Sequence, residues 1–290
     1  MTQPIRLANY TPPSHLIDRV DLTFRLSPGA TRVLTRIAFR PNPAVAAGGD
    51  LWLDGEDLVL ISAAIDGQSV SAAPGPTGLL LPAALLPKGA FLWEAEVEIN
   101  PRANTALDGL YISKGMYCTQ CEAEGFRKIT YYPDRPDVMA PFRVRIESDL
   151  PVLLSNGNPV ARGKGWAEWD DPHPKPAYLF ALVAGDLVAT RDRFTTRSGS
   201  NVDLAIWVRA GDEDKTGHAM HALQQSMAWD ERVYGREYDL EVFNIVAVDD
   251  FNMGAMENKG LNIFNSRFVL ASPETATDDD YANIERIVAH

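Results

Sequence analysis

The chain has 290 residues, of which 46% are hydrophobic and 23% are charged, and its formal net charge at neutral pH is −12. This is typical of a folded chain with one or two domains, and the acidic balance argues against nucleic acid as a partner, because nucleic-acid-binding proteins usually present a basic patch. No run reaches the roughly 20 apolar residues of a membrane helix, and residues 1–20 lack the apolar core of a signal peptide, so we expect a cytoplasmic location and no membrane partner. We also expect a monomer.

The first part of the chain alternates apolar and polar residues, as half-buried strands do. Residues 20–26 and 91–99 alternate strictly, and short strands are also predicted at 33–39, 58–65, 142–146 and 166–169. Residues 72–87, rich in Pro, Gly and Leu, predict a surface connection. Residues 1–187 therefore predict an all-β, sandwich-like N-terminal domain with antiparallel strands.

From about residue 178 the pattern changes to mixed strand and helix. A strand at 202–208 is followed by the first helical pattern, at 215–234, and then by strands at 240–248, 261–264 and 267–270. Three aspartates at 278–280 suit the first turn of a final helix, because the helix dipole favours negative charge there. Residues 188–290 thus predict the first part of an α+β domain. No Gly, Asn, Lys or Arg closes the last helix, so we expect a chain truncated within it.

The two cysteines, Cys118 and Cys121, form a C-x-x-C pair. Two thiolates cannot complete a tetrahedral zinc site, and no second pair or nearby histidines supply the missing ligands. A redox role requires the motif at the start of a helix in a βαβ unit, whereas here it follows a Lys114-Gly115 turn. We therefore expect reduced thiols in an ordered loop.

Residues 251–260, FNMGAMENKG, lie between two predicted strands. Gly254 and Gly260 allow a backbone geometry or close approach that a Cβ would block, and Glu257 places a carboxylate in an apolar neighbourhood. Such a strand edge can pair with an extended peptide, while the carboxylate neutralises an α-amine whose pKa is about 8. A glycine-bearing β-turn with a solvated Glu257 explains the same residues equally well.

Residues 254–258, GAMEN, resemble the exopeptidase signature of the aminopeptidase N family of zinc metallopeptidases, and residues 115–122, GMYCTQCE, are similar to its bacterial branch. In that family the next helix carries H-E-x-x-H, and residues 288–290, VAH, resemble its opening. The resemblance spans nearly the whole chain. It implies a thermolysin-like catalytic domain beginning near residue 188, a Zn²⁺ cofactor, and His290 as a metal ligand.

The resemblance also implies an enzyme that removes N-terminal residues from peptides with a free N-terminus, with a broad preference for Ala, basic and neutral residues. Glu257 would hold the substrate's α-amine and act in catalysis. The substrate-binding residues that the resemblance implies are Gln120, Glu122, Met253, Gly254, Ala255, Met256, Glu257 and Asn258. The remaining zinc ligands, the general base and an oxyanion-stabilising tyrosine would lie beyond residue 290, so we expect the chain alone to be inactive.

Two alternative functions stay open. A non-catalytic peptide-binding module could use the same strand edge and carboxylates. A related aminopeptidase with epoxide hydrolase activity is the other, and Ala255 argues against it, because that branch typically has Gly at the matching position.

Overall fold

A computed structural model describes residues 6–46 and 48–290, and this part of the chain contains 19 strands and two α-helices. In chain order these are β1 (His15–Arg25), β2 (Thr31–Pro41), β3 (Leu51–Asp54), β4 (Val59–Ile65), β5 (Gln68–Ser69), β6 (Gly78–Leu81), β7 (Phe91–Ile99), β8 (Gly109–Ser113), β9 (Met116–Gln120), β10 (Met139–Glu147), β11 (Val152–Ser155), β12 (Asn158–Gly163), β13 (Trp166–Pro176), β14 (Leu182–Gly185), β15 (Val188–Thr195), β16 (Asn201–Val208), α1 (Gly217–Val233), β17 (Val242–Val248), β18 (Ala255–Met256), β19 (Leu261–Asn265) and α2 (Asp278–Ala289). Neither helix is long and apolar enough to cross a bilayer.

Two sheets form the β-sandwich. The larger has eight strands in the order β12-β13-β10-β1-β2-β7-β4-β5, the smaller has the order β11-β14-β9-β8, and β3 and β6 form a separate pair. Phe24 and Phe142 from the larger sheet and Tyr111 and Val183 from the smaller one belong to one continuous core. Burial of one face of each sheet is the stable solution for alternating strands, and the predicted mostly β N-terminal part is confirmed.

Four local predictions were wrong. Strands β1 and β10 pair in parallel, because a long excursion through other strands separates them along the chain. The region 72–87 contains β6, whose Leu79 and Leu81 are buried against the core. The strand predicted at 267–270 is a 3-10 turn at Ser266–Phe268, which the Asn265 side chain caps. Cys118 lies within strand β9 instead of a loop.

The third sheet, with the order β15-β16-β17-β19-β18, is a layer shared by two cores. Along β17, Ile245 and Ala247 belong to a core with α1 and α2, whereas Val246 and Val248 belong to the core of the sandwich. Successive strand residues point to opposite faces, so one strand contributes to both cores. The domain boundary predicted at residue 187 lies between β14 and β15, where the chain passes from the second sheet to the third, and it stays a prediction.

Helix α2 begins with a capping box. The Thr277 side chain accepts a hydrogen bond from the Asp280 backbone N–H, and the Asp280 carboxylate accepts one from the Thr277 backbone N–H. These bonds satisfy backbone donors that a helix start leaves free, and Ile284 and Val288 then face the core of the third sheet. The predicted acidic first turn is confirmed, with the cap as the additional cause.

The chain between β17 and β19, here the 249–260 segment, is attached to the sandwich at its beginning. Tyr111 donates its hydroxyl proton to the Asp250 carbonyl at 2.8 Å, and Ser113 donates to the Asp250 carboxylate at 2.7 Å. The Lys114 ammonium lies 2.7 Å from the Asp249 carboxylate, which Arg209 also contacts. Since β8 and its turn supply these first three donors, the sandwich fixes the point where the segment leaves β17.

The end of the same segment is attached through a close approach of two backbones. The Gly157 N–H donates to the Lys259 carbonyl at 3.2 Å. A Cβ on Gly260 would lie 2.7 Å from the Gly157 nitrogen, and Gly260 has a φ of +83°. Only glycine meets both conditions without strain, so the junction requires it.

We predict that Gly260→Ala lowers the free energy of unfolding by more than about 2 kcal/mol, because a positive φ and a backbone clash both penalise the new Cβ. Gly199→Ala is the matched control, since Gly199 has a φ of +93° and no atom within 4 Å of the Cβ position. That control should lose only about 1 kcal/mol in chemical denaturation. Equal losses in the two variants would contradict the crowded junction.

We also predict that the attachment at Asp249 depends on pH. Lys114 holds the pKa of the Asp249 carboxyl below its ordinary value of 3.8, so the folded state binds fewer protons than the unfolded state in acid. The stabilisation is therefore present above the unfolded pKa and is lost as pH falls through the folded one. Asp249→Asn should cost about 0.5 to 1 kcal/mol near neutral pH, and this cost should shrink progressively as pH falls below the ordinary pKa of 3.8.

Chemical denaturation across this pH range measures the effect, with Asp186→Asn as the control that removes an exposed carboxylate. A loss in Asp249→Asn that stays constant with pH would contradict the ion-pair assignment.

Candidate active site

Strand β18 lies at the edge of the third sheet and places the predicted site residues on two faces. Ala255 and Met256 pair with Phe264 and Ile263 of β19. The side chains of Met256 and Asn258 are only 1% and 2% exposed, whereas Glu257 is exposed and Ala255 partly so. Glu257 and Ala255 can therefore meet a ligand directly, and Met256 and Asn258 shape the segment from inside.

A cleft of about 500 Å³ opens beside this strand edge. Ala255 and Glu257 line one part of it and His290, at the end of α2, lines another. The structure thus brings the predicted amine-binding carboxylate and the predicted metal ligand to one cavity. Its other lining residues include Tyr238, Asp239, Phe243, Lys259, Asn262 and Phe264.

The sandwich contributes Gln120, which ends β9 and contacts the 249–260 segment. Its amide nitrogen lies 2.6 Å from the Met253 sulfur. The Gln120 amide oxygen is buried and has no hydrogen-bond partner among the described residues, so it is a free acceptor beside Met253. Glu122 is exposed and forms no ion pair with the part of the chain that the structure describes. Gln120 is therefore joined to the segment, and the structure shows no such link for Glu122.

Lys259, which follows the buried Asn258, forms a charged contact at the cleft wall. Its ammonium lies 2.7 Å from one Asp239 oxygen, and the His173 ring of β13 lies 3.5 Å from the other. Partial burial opposes ionisation of Asp239, but the Lys259 ammonium outweighs it and holds the pKa of Asp239 below its ordinary value. Asp239 is therefore a carboxylate at neutral pH and can keep Lys259 in place.

The described residues do not on their own fit a metal ion. Within residues 6–46 and 48–290, no group of three or more His, Cys, Asp or Glu side chains is arranged to bind one. Burial raises the pKa of the Cys118 thiol to about 12 and that of Cys121 well above its ordinary value. Thiolates are the metal-binding form, so these buried thiols are poor ligands, and His290 would need partners from elsewhere.

Sequence reasoning missed the residues that attach the segment, chiefly Asp249, Asp250 and Asn156. Asn156 and Gly157 give a turn signal in the sequence, and nothing local shows that the turn touches residues a hundred positions later. The one sequence feature that could have indicated an attached loop is the pair Asp249-Asp250 directly after a buried strand. Two adjacent carboxylates at that place attract hydrogen-bond donors.

Comparison with known proteins identifies the family to which these residues are similar. Residues 93–179 match the peptidase M1 N-terminal domain, and residues 218–290 match the peptidase family M1 domain. The chain is 52% identical to aminopeptidase N of Caulobacter vibrioides over 99% of its own length, and 51% identical to aminopeptidase N of Escherichia coli over 97%. It covers 34% and 33% of those two proteins.

A solved structure agrees with the sequence relatives. The fold matches the crystal structure of Legionella pneumophila aminopeptidase A in complex with aspartic acid, with a TM-score of 0.92 and 33% identity. The match covers 98% of this chain and 35% of that one. The two domain matches, the identities and the fold together show that the chain belongs to peptidase family M1, a metallopeptidase family, and spans about a third of the length of the aminopeptidase N relatives that it matches.

Proposed function

We propose that this chain is the part of a zinc-dependent aminopeptidase that recognises the free N-terminus of a peptide. The observation that supports this most strongly is the shared cleft, in which Glu257, the edge strand β18 and His290 face the same cavity. One ligand lying there could present an ammonium group to Glu257, its extended backbone to β18 and a further group to a metal held by His290.

The edge strand suits an extended peptide. Strand β18 pairs only with β19 within the described sheet, so no strand of that sheet uses the backbone groups along its other side. Extended peptides bind such edges through main-chain hydrogen bonds, which are indifferent to side-chain identity. Gly254 and Ala255 would supply these contacts, consistent with a broad preference for Ala, basic and neutral N-terminal residues.

Glu257 would select peptides by their first residue. An α-ammonium beside this carboxylate forms a charge-assisted hydrogen bond, which is stronger than a neutral one. By the family resemblance, Gln120, whose amide nitrogen contacts Met253, and Glu122 would approach the amine from the sandwich. A peptide whose amine is blocked or lies further along the chain would lose this contact.

Bond cleavage would depend on the rest of the protein. The metal of this family is proposed to be Zn²⁺, which in hydrolases lowers the pKa of bound water to about 7. His290 would be one ligand, and the described residues supply no complete site. The role of this chain is therefore to bind and orient the peptide.

We predict that Glu257→Gln in the full-length protein lowers kcat/KM for an alanyl anilide by roughly 30- to 1,000-fold, because a neutral amide no longer balances the ammonium. Glu274→Gln is the control, since it neutralises an exposed glutamate outside the cleft lining. Steady-state release of the chromogenic amine measures both variants. Unchanged kinetics in Glu257→Gln would remove the amine-binding role.

We predict that the 290-residue chain alone does not hydrolyse the same substrate, even with added Zn²⁺. One histidine cannot hold a catalytic zinc, which normally needs three protein ligands. The assay compares this chain with the full-length protein, with and without zinc. Zinc-dependent turnover by the chain alone would show that the catalytic groups lie within residues 1–290.

A further inference from the structure

Glu257 lies between two fixed points of the backbone. On its N-terminal side, Met256 is the last residue of β18 and pairs with Ile263. On its C-terminal side, the next attachment to the sandwich is the Lys259 carbonyl, which accepts hydrogen bonds from the Asn156 amide and from the Gly157 N–H, each at 3.2 Å. The direction in which the Glu257 side chain points therefore depends on where Lys259 is held.

Asn156 is built to hold that point rigidly. Its side chain is buried in the sandwich, with 2% of the residue exposed. The amide nitrogen donates to the Leu179 carbonyl at 3.0 Å as well as to Lys259, and the amide oxygen accepts from the Ala181 N–H at 2.7 Å. Every polar atom of the side chain has a partner, so the amide cannot rotate without breaking a buried bond.

Asn156 acts on the cleft only through another residue. It is not part of the cleft lining, whereas Glu257, Lys259 and Gly260 are. The Gly157–Gly260 contact beside it leaves no space for the two backbones to shift towards each other. A change at Asn156 would therefore reach the ligand as a displacement of the 257–259 backbone.

We propose that Asn156 is a positioning residue for N-terminus recognition, which fixes the Lys259 carbonyl and thereby sets the place of the Glu257 carboxylate in the cleft. This proposal rests on the proposed function of Glu257. It differs from a stabilising role in the sandwich, for which the bonds to Leu179 and Ala181 would be sufficient.

The neighbouring Ser155 offers a matched control for that stabilising role. Its hydroxyl donates to the Ala181 carbonyl at 2.7 Å, and the residue is fully buried at the end of β11, directly before Asn156. The structure shows no hydrogen bond from its side chain to the 249–260 segment among the described residues. Ser155→Ala thus removes a buried hydrogen bond of the sandwich and leaves the Lys259 carbonyl attached.

The test is a double-mutant cycle in the full-length protein, with Asn156→Ala, Ser155→Ala, Glu257→Gln and the Asn156→Ala/Glu257→Gln pair. We expect Asn156→Ala to lower kcat/KM for an alanyl anilide by about tenfold, mainly through a higher KM, since the side-chain bond that holds the Lys259 carbonyl is lost together with those to Leu179 and Ala181, and the ammonium contact weakens. In the Glu257→Gln background the same change should cost less than about twofold, because the two residues act through one contact. Ser155→Ala should leave KM unchanged.

The outcomes separate the proposals. A tenfold further loss in the Glu257→Gln background, or a lower kcat with an unchanged KM in Asn156→Ala, would overturn the positioning role, since a smaller folded fraction lowers kcat alone. A Glu257→Gln variant with normal kinetics would overturn the proposed function as well. If Asn156→Ala does not fold, Asn156→Ser is the second variant, because it keeps a small polar group without burying a charge and lacks the amide that donates to both Lys259 and Leu179; the same cycle then applies with the same expected results.

Discussion

The 249–260 segment has few bonds of its own, and the sandwich holds both of its ends. At the beginning, Tyr111 and Ser113 fix Asp250. At the end, Asn156 and Gly157 fix the Lys259 carbonyl. Between these points the segment forms only a two-residue strand, which by itself would be marginal in water. Under the proposed function the β-sandwich would thus take part in recognition, although its strands supply little of the cleft wall.

The third sheet makes this arrangement possible because it buries both of its faces. Val246 and Ile263 pack into the sandwich core, and Ile245 and Phe264 pack under the helices. The strand edge that faces the cleft is therefore held between two cores, and α2 is held against the same sheet through Ile284. Glu257 directly follows β18 of this sheet, and His290 directly follows α2, which packs on the same sheet. This sheet therefore brings both residues to one cavity.

The sequence predicts the strands well where burial alternates, and it predicts the site motif through the GAMEN residues. The strand 91–99 has the predicted bounds. Its outward-facing Glu96 and Glu98 form ion pairs with Arg32 of the neighbouring strand β2. Strand β6 was missed because its Leu residues follow Pro and Gly, whose turn signals outweigh a short apolar run. The burial of Met256 beside the partly exposed Ala255 follows from the two-residue period of a strand, but only once β18 is known to be a strand.

The attachments could not be predicted, because each joins residues far apart in the chain. Asn156 contacts Lys259 across 103 positions, and Ser113 contacts Asp250 across 137. Local patterns give a turn at Asn156-Gly157 and an acidic pair at Asp249-Asp250, and only the packing of the third sheet on the sandwich brings them to their partners. Hydrogen bonds of this kind are specified by the whole fold.

The attachments at Asp250 and Lys259 share one property, which is that the Tyr111, Asn156 and Gly157 donors bind backbone carbonyls. Every residue type has a carbonyl, so the segment can change many of its side chains in evolution without losing these bonds. The Tyr111 and Asn156 side-chain donors have no such freedom, because an aliphatic residue at either position removes the hydrogen. The side chains of the segment can therefore diverge at little cost to its placement, while the supporting positions in the sandwich are constrained.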